Sequence, residues 1–190
     1  MATTEMPTLH GDRVRVRPLA PSDLEAYLDA CRTLEDGVSE DDLRVRLNWR
    51  VAGYRELGAL LQPPYGERAI VLRESGHLVG LCGLVPSLGP FGLLASWPRE
   101  ADTLVARRFV PAVGLYWLVD TRHRGCGYAT EAATLLIRHA FEQMHLRRVV
   151  ATTLADNASS QAVMRRLGMR IERNPEPEPE WFQVVGILDS

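Results

Sequence analysis

The sequence has no lysine, and all 22 of its basic residues are arginine. This excludes Schiff-base catalysis, pyridoxal chemistry and a Walker A nucleotide site, each of which needs a lysine amine. Excess positive charge is absent as well: 22 basic residues against 24 acidic ones leave a formal charge of -2. A duplex-binding domain carries a clear basic excess, so nucleic acid is not an expected partner. Cysteine is scarce. Cys31, Cys82 and Cys126 are an odd number without C-x-x-C or histidine spacing, which argues against a zinc site or a disulfide framework and for a reducing compartment. Long apolar runs are lacking too. The longest, Leu78 to Val85, has about eight residues where a membrane span needs roughly 18, and Met1 to Arg17 has no apolar signal core. A cytoplasmic protein without a membrane partner is expected.

The composition is that of an ordinary globular chain, 46% hydrophobic and 24% charged, which excludes disordered and collagenous classes. Its 190 residues predict one domain, residues 1–190. A chain of this length buries roughly 70% of the surface it exposes when unfolded.

After a polar tail, Arg13 to Arg17 alternates with period two and closes on Pro18, as a half-buried strand does. Ser22 and Glu25 form a capping-box pattern that predicts a helix to about Cys31. Ser39 and Asp42 repeat it ahead of an amphipathic helix to Leu61, with Leu43, Leu47, Val51, Tyr54, Leu57 and Leu61 at threes and fours. Residues 69–72 and 78–82 read as a β-hairpin. Pro86 to Ala112 is rich in proline and glycine and reads as a long connection, either a substrate-facing segment or an irregular insertion.

From Val113 to Val119 the chain is apolar on both faces, as in a buried central strand. Ala129, Ala132, Ala133, Leu136, Ile137, Ala140, Phe141 and Met144 then form a helical stripe, and Arg148 to Leu154 is another strand. Strand, helix and strand in this order predict a parallel pair joined by a right-handed crossover. A short helix from about Ala158 to Leu167 stops at Gly168, and strands at 169–172 and 181–188 flank a stiff, acidic, proline-rich loop, Asn174 to Glu180.

The loop from Arg122 to Ala129 joins the central strand to the long helix, and its two glycines let backbone approach a ligand. Main-chain N–H groups at that helix start, together with the helix dipole, favour an anion. A phosphate site is physically reasonable, and a plain tight turn accounts for the loop equally well. A dinucleotide fingerprint is not present, since Gly125-x-Gly127-x-x-Thr130 lacks the third glycine.

Arg124-Gly125-Cys126-Gly127-Tyr128-Ala129, continued by Thr130-Glu131-Ala132, resembles the acetyl-coenzyme A motif, Gln/Arg-x-x-Gly-x-Gly/Ala, of the GNAT family of N-acetyltransferases. The register starting at Arg122 also fits, but the later one ends where the helical stripe begins and N–H groups lack partners. Asn157-Ala158-Ser159-Ser160, leading into a helix that ends Leu167-Gly168-Met169, resembles the second family element. Within the family the chain is most similar to the ribosomal-protein N-terminal-alanine acetyltransferase (RimJ/RimL) type. The resemblance implies an α/β (α+β) GNAT fold, with a central mixed, mostly antiparallel sheet, a splayed parallel strand pair and flanking helices.

It also implies roles. Main-chain groups of Leu118 and Val119 would pair with the pantetheine arm, and Arg124, Gly125, Cys126, Gly127, Tyr128, Ala129 and Thr130 would wrap the pyrophosphate. Asn157 would hold the pantetheine end, and Ser160 would donate a proton to the leaving thiolate. Independently, Ser160, Val163, Met164 and Leu167 share one side of the last helix, which turns Ser160 inward. A helix cap is the plainer role for Asn157.

The chemistry so implied takes acetyl-coenzyme A as co-substrate and a primary amine as acceptor, and it needs no metal. Many relatives carry a glutamate base at the start of the central strand, where this chain reads Pro111-Ala112-Val113. Glu67, Glu74, His77 or water remain as proton acceptors. Tyr116 and Trp117 alternate on the central strand, so one packs inward and the other is free to line the acceptor cleft. A non-catalytic acyl-coenzyme A binding or sensing module and a nucleotide-binding protein are the competing readings. No motif selects the acceptor, and none sets an oligomeric state.

Overall fold

The computed structural model describes residues 7–32, 38–97 and 103–190. Residues 1–6 of the polar tail and residues 98–102 of the long connection lie outside them. Among the described residues the strands are β1 (Leu9–His10), β2 (Val14–Arg17), β3 (Gly66–Leu72), β4 (Leu78–Gly89), β5 (Val110–Val119), β6 (Arg148–Thr153), β7 (Arg170–Arg173) and β8 (Val184–Asp189). The helices are α1 (Leu24–Arg32), α2 (Glu40–Ala59), α3 (Thr103–Ala106), α4 (Tyr128–Glu142) and α5 (Ala158–Arg166). The strands form one mixed sheet in the order β1-β2-β3-β4-β5-β6-β8-β7. β1 with β2, β2 with β3, β3 with β4, β6 with β8 and β7 with β8 are antiparallel. β5 and β6, joined through α4, are the parallel pair, in register at Gly114 opposite Val150.

The chain divides into two compact units, one made of residues up to Val85 with Tyr116–Met144 and the other of Pro86–Leu115 with His145–Ser190. In the first, α1 and α2 bury Tyr27, Leu28, Leu43 and Leu47 against Ala69, Val71 and Leu81 of the β3–β4 hairpin. α4 buries Ala132, Ala133, Leu136 and Ala140, the predicted stripe.

Ser39 caps α2 as expected, accepting from the Asp42 N–H at 3.1 Å. In the α2 stripe Leu43 and Leu47 are fully buried and Val51 and Tyr54 pack half-buried against the same core, whereas Leu61, 83% exposed, lies beyond the helix, which ends at Ala59 and not at Leu61 as expected. Ser22 is not the cap of the first helix. Pro21 opens a 3-10 turn one residue earlier, and the Asp23 carboxylate takes the Ala20 N–H at 2.8 Å while Arg17 grips both its oxygens at 2.7 and 2.8 Å.

In the second unit the stretch expected to be a long connection contributes to the core. β4 runs on to Gly89, Phe91–Leu93 is a 3-10 turn, and α3 and the start of β5 follow. Phe91 and Leu94 are buried with Val150, Phe182, Val185 and Ile187. Phe91 stacks on Trp97 at 4.7 Å and meets the Phe182 ring edge-on at 5.1 Å. Proline and glycine masked this segment, because its apolar residues follow no single period.

The acidic loop, expected to be a stiff solvated link, is tied down by hydrogen bonds and an ion pair. Gln183 Nε2 donates to the Glu176 and Pro177 carbonyls, Asn174 Nδ2 donates to the Glu178 carbonyl at 2.9 Å, and Arg107 pairs with Glu176 at 2.6 Å. No helix among the described residues is long and apolar enough to cross a membrane.

Phe91→Ala should lower the unfolding free energy by about 3–5 kcal/mol in urea titrations, the usual loss for a buried aromatic. A loss below about 1 kcal/mol would show that this ring is not part of the core.

Candidate functional site

The turn that leaves β5 is built in three steps. Asp120, only 1% exposed, accepts from the Arg122 N–H at 2.9 Å and from Arg122 Nε at 3.0 Å, and hydrogen bonds from that side chain hold its carboxyl below the ordinary carboxylate value. The N–H groups of His123 and Arg124 then donate back to Asp120 and Thr121 in a 3-10 turn. Gly125 and Gly127 follow at φ of +77° and +82°, a backbone region that L side chains avoid. Gly127 is the N-cap of α4 and offers no side chain to its first turn.

The consequence is a row of free donors. Among the described residues, none of the six main-chain N–H groups from Gly125 to Thr130 has a protein acceptor; the series resumes with Glu131, whose N–H donates to the Gly127 carbonyl at 3.0 Å. Open space surrounds the point where a Cβ would project from Gly125. The Thr130 hydroxyl is buried without a hydrogen-bond partner among the described residues. Row, left-handed glycines and helix dipole together suit a multiply charged anion.

Glu131 anchors this end of α4. Its Oε1 accepts the N–H groups of Arg13 and Val14 at 2.7 and 3.1 Å, and its Oε2 accepts Arg13 Nε at 2.8 Å. Burial pushes the carboxyl up, but those hydrogen bonds outweigh it and hold the group below its ordinary 4.5. Sequence alone carries no signal for this role of Glu131, since nothing within a single helix reveals a partner 118 residues away.

The other expected residues are placed as follows. Leu118 and Val119 end β5 half-buried, and the Val119 carbonyl accepts Arg124 Nε at 3.4 Å. Tyr116 and Trp117 are both half-buried. Cys126 is exposed, while Cys31 and Cys82 are buried, and no disulfide joins them among the described residues. Asn157 is the N-cap of α5, its Oδ1 accepting the Ser160 N–H at 3.1 Å and the Ser159 hydroxyl at 2.9 Å. On the expected side of α5 Met164 is fully buried and Ser160, Val163 and Leu167 are half-buried, and Gln161 beside them is buried as well.

Of the base candidates, Glu67 lies beside Arg50, oxygen to nitrogen 2.7 Å, and Arg50 also donates to the Tyr27 hydroxyl at 2.5 Å. Glu74 and His77 are exposed at the hairpin turn, where the rings of His77 and His123 lie 5.6 Å apart.

Comparison with known proteins adds a second kind of observation. Residues 13–170 match the family model described as an acetyltransferase (GNAT) domain. An acetyltransferase from Agrobacterium tumefaciens has the same fold, with a TM-score of 0.69 and 26% identity over 98% of this chain and 96% of that one. So does Mycobacterium smegmatis RimJ, solved in complex with CoA-disulfide, with a TM-score of 0.67 and 18% identity over 100% of this chain and 90% of that one. The Bacillus subtilis N-acetyltransferase YnaD, itself uncharacterized, is 38% identical over 56 residues, which is 30% of this chain and a third (33%) of that protein.

Glu131 and Asp120 both have lowered folded values, so the unfolded chain takes up their protons first as pH falls. Their contribution to stability is complete above their ordinary values, 4.5 for Glu131, and is lost as pH drops through the folded ones. Thermal unfolding followed from about pH 7 to about pH 3 should show the midpoint falling steeply at the acid end, and Glu131→Gln should flatten that slope. Parallel curves for the two proteins would show that Glu131 does not carry the effect.

Proposed function

Because the chain belongs to the GNAT acetyltransferase family, whose domains take acetyl-coenzyme A as co-substrate, we propose that it moves the acetyl group to a primary amine on a protein N-terminus or a small molecule. The observation that carries this reading is the row of six N–H groups from Gly125 to Thr130 without acceptors among the described residues. A diphosphate brings the oxygens such a row needs, and the backbone supplies them with no lysine. The resemblance to the ribosomal-protein N-terminal-alanine acetyltransferase type makes a peptide N-terminus the first acceptor class to test. The family model runs across both compact units, which supports one acetyltransferase domain over the whole chain.

The residues divide the work. Arg124 to Thr130 grip the diphosphate, and the main chain of Leu118 and Val119 aligns the pantetheine arm. The uncharged amine attacks the thioester carbonyl directly, giving a tetrahedral intermediate whose oxygen is met by main-chain donors. On collapse the C–S bond breaks and the Ser160 hydroxyl gives its proton to the leaving sulfur, whose thiol pKa is about 8.5, while water returns a proton to the serine oxygen.

Asn157 supports this step twice. Its Oδ1 fixes the turn that carries Ser160, and its Nδ2, with no acceptor among the described residues, is free for the pantetheine end. No step calls on a metal. The amine loses its proton to Glu67 or to water, since the central strand opens with Pro111-Ala112 and not with a glutamate. Cys31, Cys82 and Cys126 form no disulfide among the described residues, which fits a reducing, cytoplasmic setting.

Ser160→Ala should lower kcat by about a hundredfold with the Kd for coenzyme A little changed. Gly127→Val should abolish coenzyme A binding, because valine does not tolerate the positive φ. Titration calorimetry and thiol release with a panel of amines and peptides check both. Normal binding by Gly127→Val would remove the turn from the site, and tight binding without turnover of any acceptor would leave a coenzyme A sensor.

A further inference from the structure

We infer that Arg13 is a positioning residue for the diphosphate, holding the Gly125–Thr130 turn with its N–H groups outward. The inference rests on the acetyl-coenzyme A reading above and adds a residue that lies outside the glycine motif. Arg13 stands just ahead of β2 with its side chain half exposed. Its Nε is committed to Glu131 Oε2 at 2.8 Å, and its Nη1 donates to the Cys126 carbonyl at 2.9 Å. Its Nη2 stands 3.3 Å from where a Cβ on Gly127 would be, and the guanidinium lies over the Tyr128 ring at 5.3 Å. One side chain therefore touches the middle of the turn, its last glycine and the first two landmarks of α4, Tyr128 and Glu131.

The bond to Cys126 matters because of peptide geometry. In a planar trans peptide the carbonyl and the following N–H point in opposite directions. Fixing the Cys126 carbonyl toward Arg13 therefore turns the Gly127 N–H the other way, out of the turn. A flip of this peptide plane turns on ψ of Cys126 and φ of Gly127, and glycine at 127 lowers its steric barrier. A flipped plane would present an oxygen where the diphosphate needs a donor, so the turn requires an external latch, and Arg13 supplies it.

The latch is itself locked. Glu131 takes the Arg13 side chain and, through the Arg13 and Val14 N–H groups, the backbone that carries it. Gly11 makes this possible, since a Cβ there would come within 2.6 Å of Glu131 Oε1.

The test uses the full chain with Arg13→Met, which keeps the stem and removes the donors, and with Glu131→Gln as a second route to the same latch. Titration calorimetry with coenzyme A and dephospho-coenzyme A is run at two salt concentrations beside steady-state kinetics. Arg13→Met should raise Kd for both ligands by the same factor, about 10- to 100-fold, with an unchanged salt dependence and the loss in kcat/KM lying mainly in KM for acetyl-coenzyme A. Glu131→Gln should move the same constants in the same direction by less.

A Kd unchanged in both variants, with only the thermal midpoint lowered, would reduce Arg13 to a structural tie. A loss confined to coenzyme A, or a weaker salt dependence, would make Arg13 a direct phosphate ligand and overturn the positioning role. Failure of the wild-type protein to bind either ligand would overturn the acetyl-coenzyme A reading itself, an outcome separate from wild-type binding that the variants leave intact.

Discussion

A main-chain N–H without an acceptor is costly unless water or a ligand meets it, and six in succession, from Gly125 to Thr130, have none among the described residues. That row sets the demands on the surrounding chain. Three of its members belong to the first turn of α4, where no helix can pair its own N–H groups. The other three are withheld from local pairing because Gly125 and Gly127 adopt left-handed backbone. Asp120 closes the 3-10 turn just before the row, and Glu131 closes the series just after it. The donors are thus bracketed by two carboxylates, each held ionised by arginine and N–H partners.

The lack of lysine takes on meaning at this point. An anion site can be built from side-chain ammonium groups or from backbone, and backbone donors suffice where the chain can be held still. Here arginines work on the frame. Arg122 ties down Asp120 and reaches Asp29, Arg124 reaches the Val119 carbonyl, and Arg13 joins Glu131 to Cys126. A planar, forked donor that bridges two acceptors suits this task better than a point charge on a flexible stem.

Much of the fold was legible because its signals are local. The α4 stripe, the Ser39 cap, the β3–β4 hairpin and the strand–helix–strand order all follow from spacing within one element or between neighbours. The failures have one origin. Ser22 was the expected cap by pattern, but Asp23 has Arg17 from the preceding strand to hold it, and that partner lies outside the local code. The stretch after Pro86 looked like a loop because its apolar residues have no regular period, yet Phe91 and Leu94 meet rings and strands contributed by the last forty or so residues. On α5 the face drawn from spacing holds Met164 in the core, and the burial of Gln161 beside it is set by the neighbouring elements.

The amino-acid order alone determined the turn chemistry: two glycines at set distances between an apolar strand and a helical stripe, and an asparagine and serine opening a later helix. These are matters of backbone freedom and of side-chain reach over a few residues, which neighbours in the chain decide among themselves. Tertiary structure decided which groups hold that turn. Arg13 and Glu131 lie 118 positions apart, and an interaction of that span exists only once β2 and α4 have packed, because burial and ion pairing act between whatever surfaces the fold brings within a few ångströms.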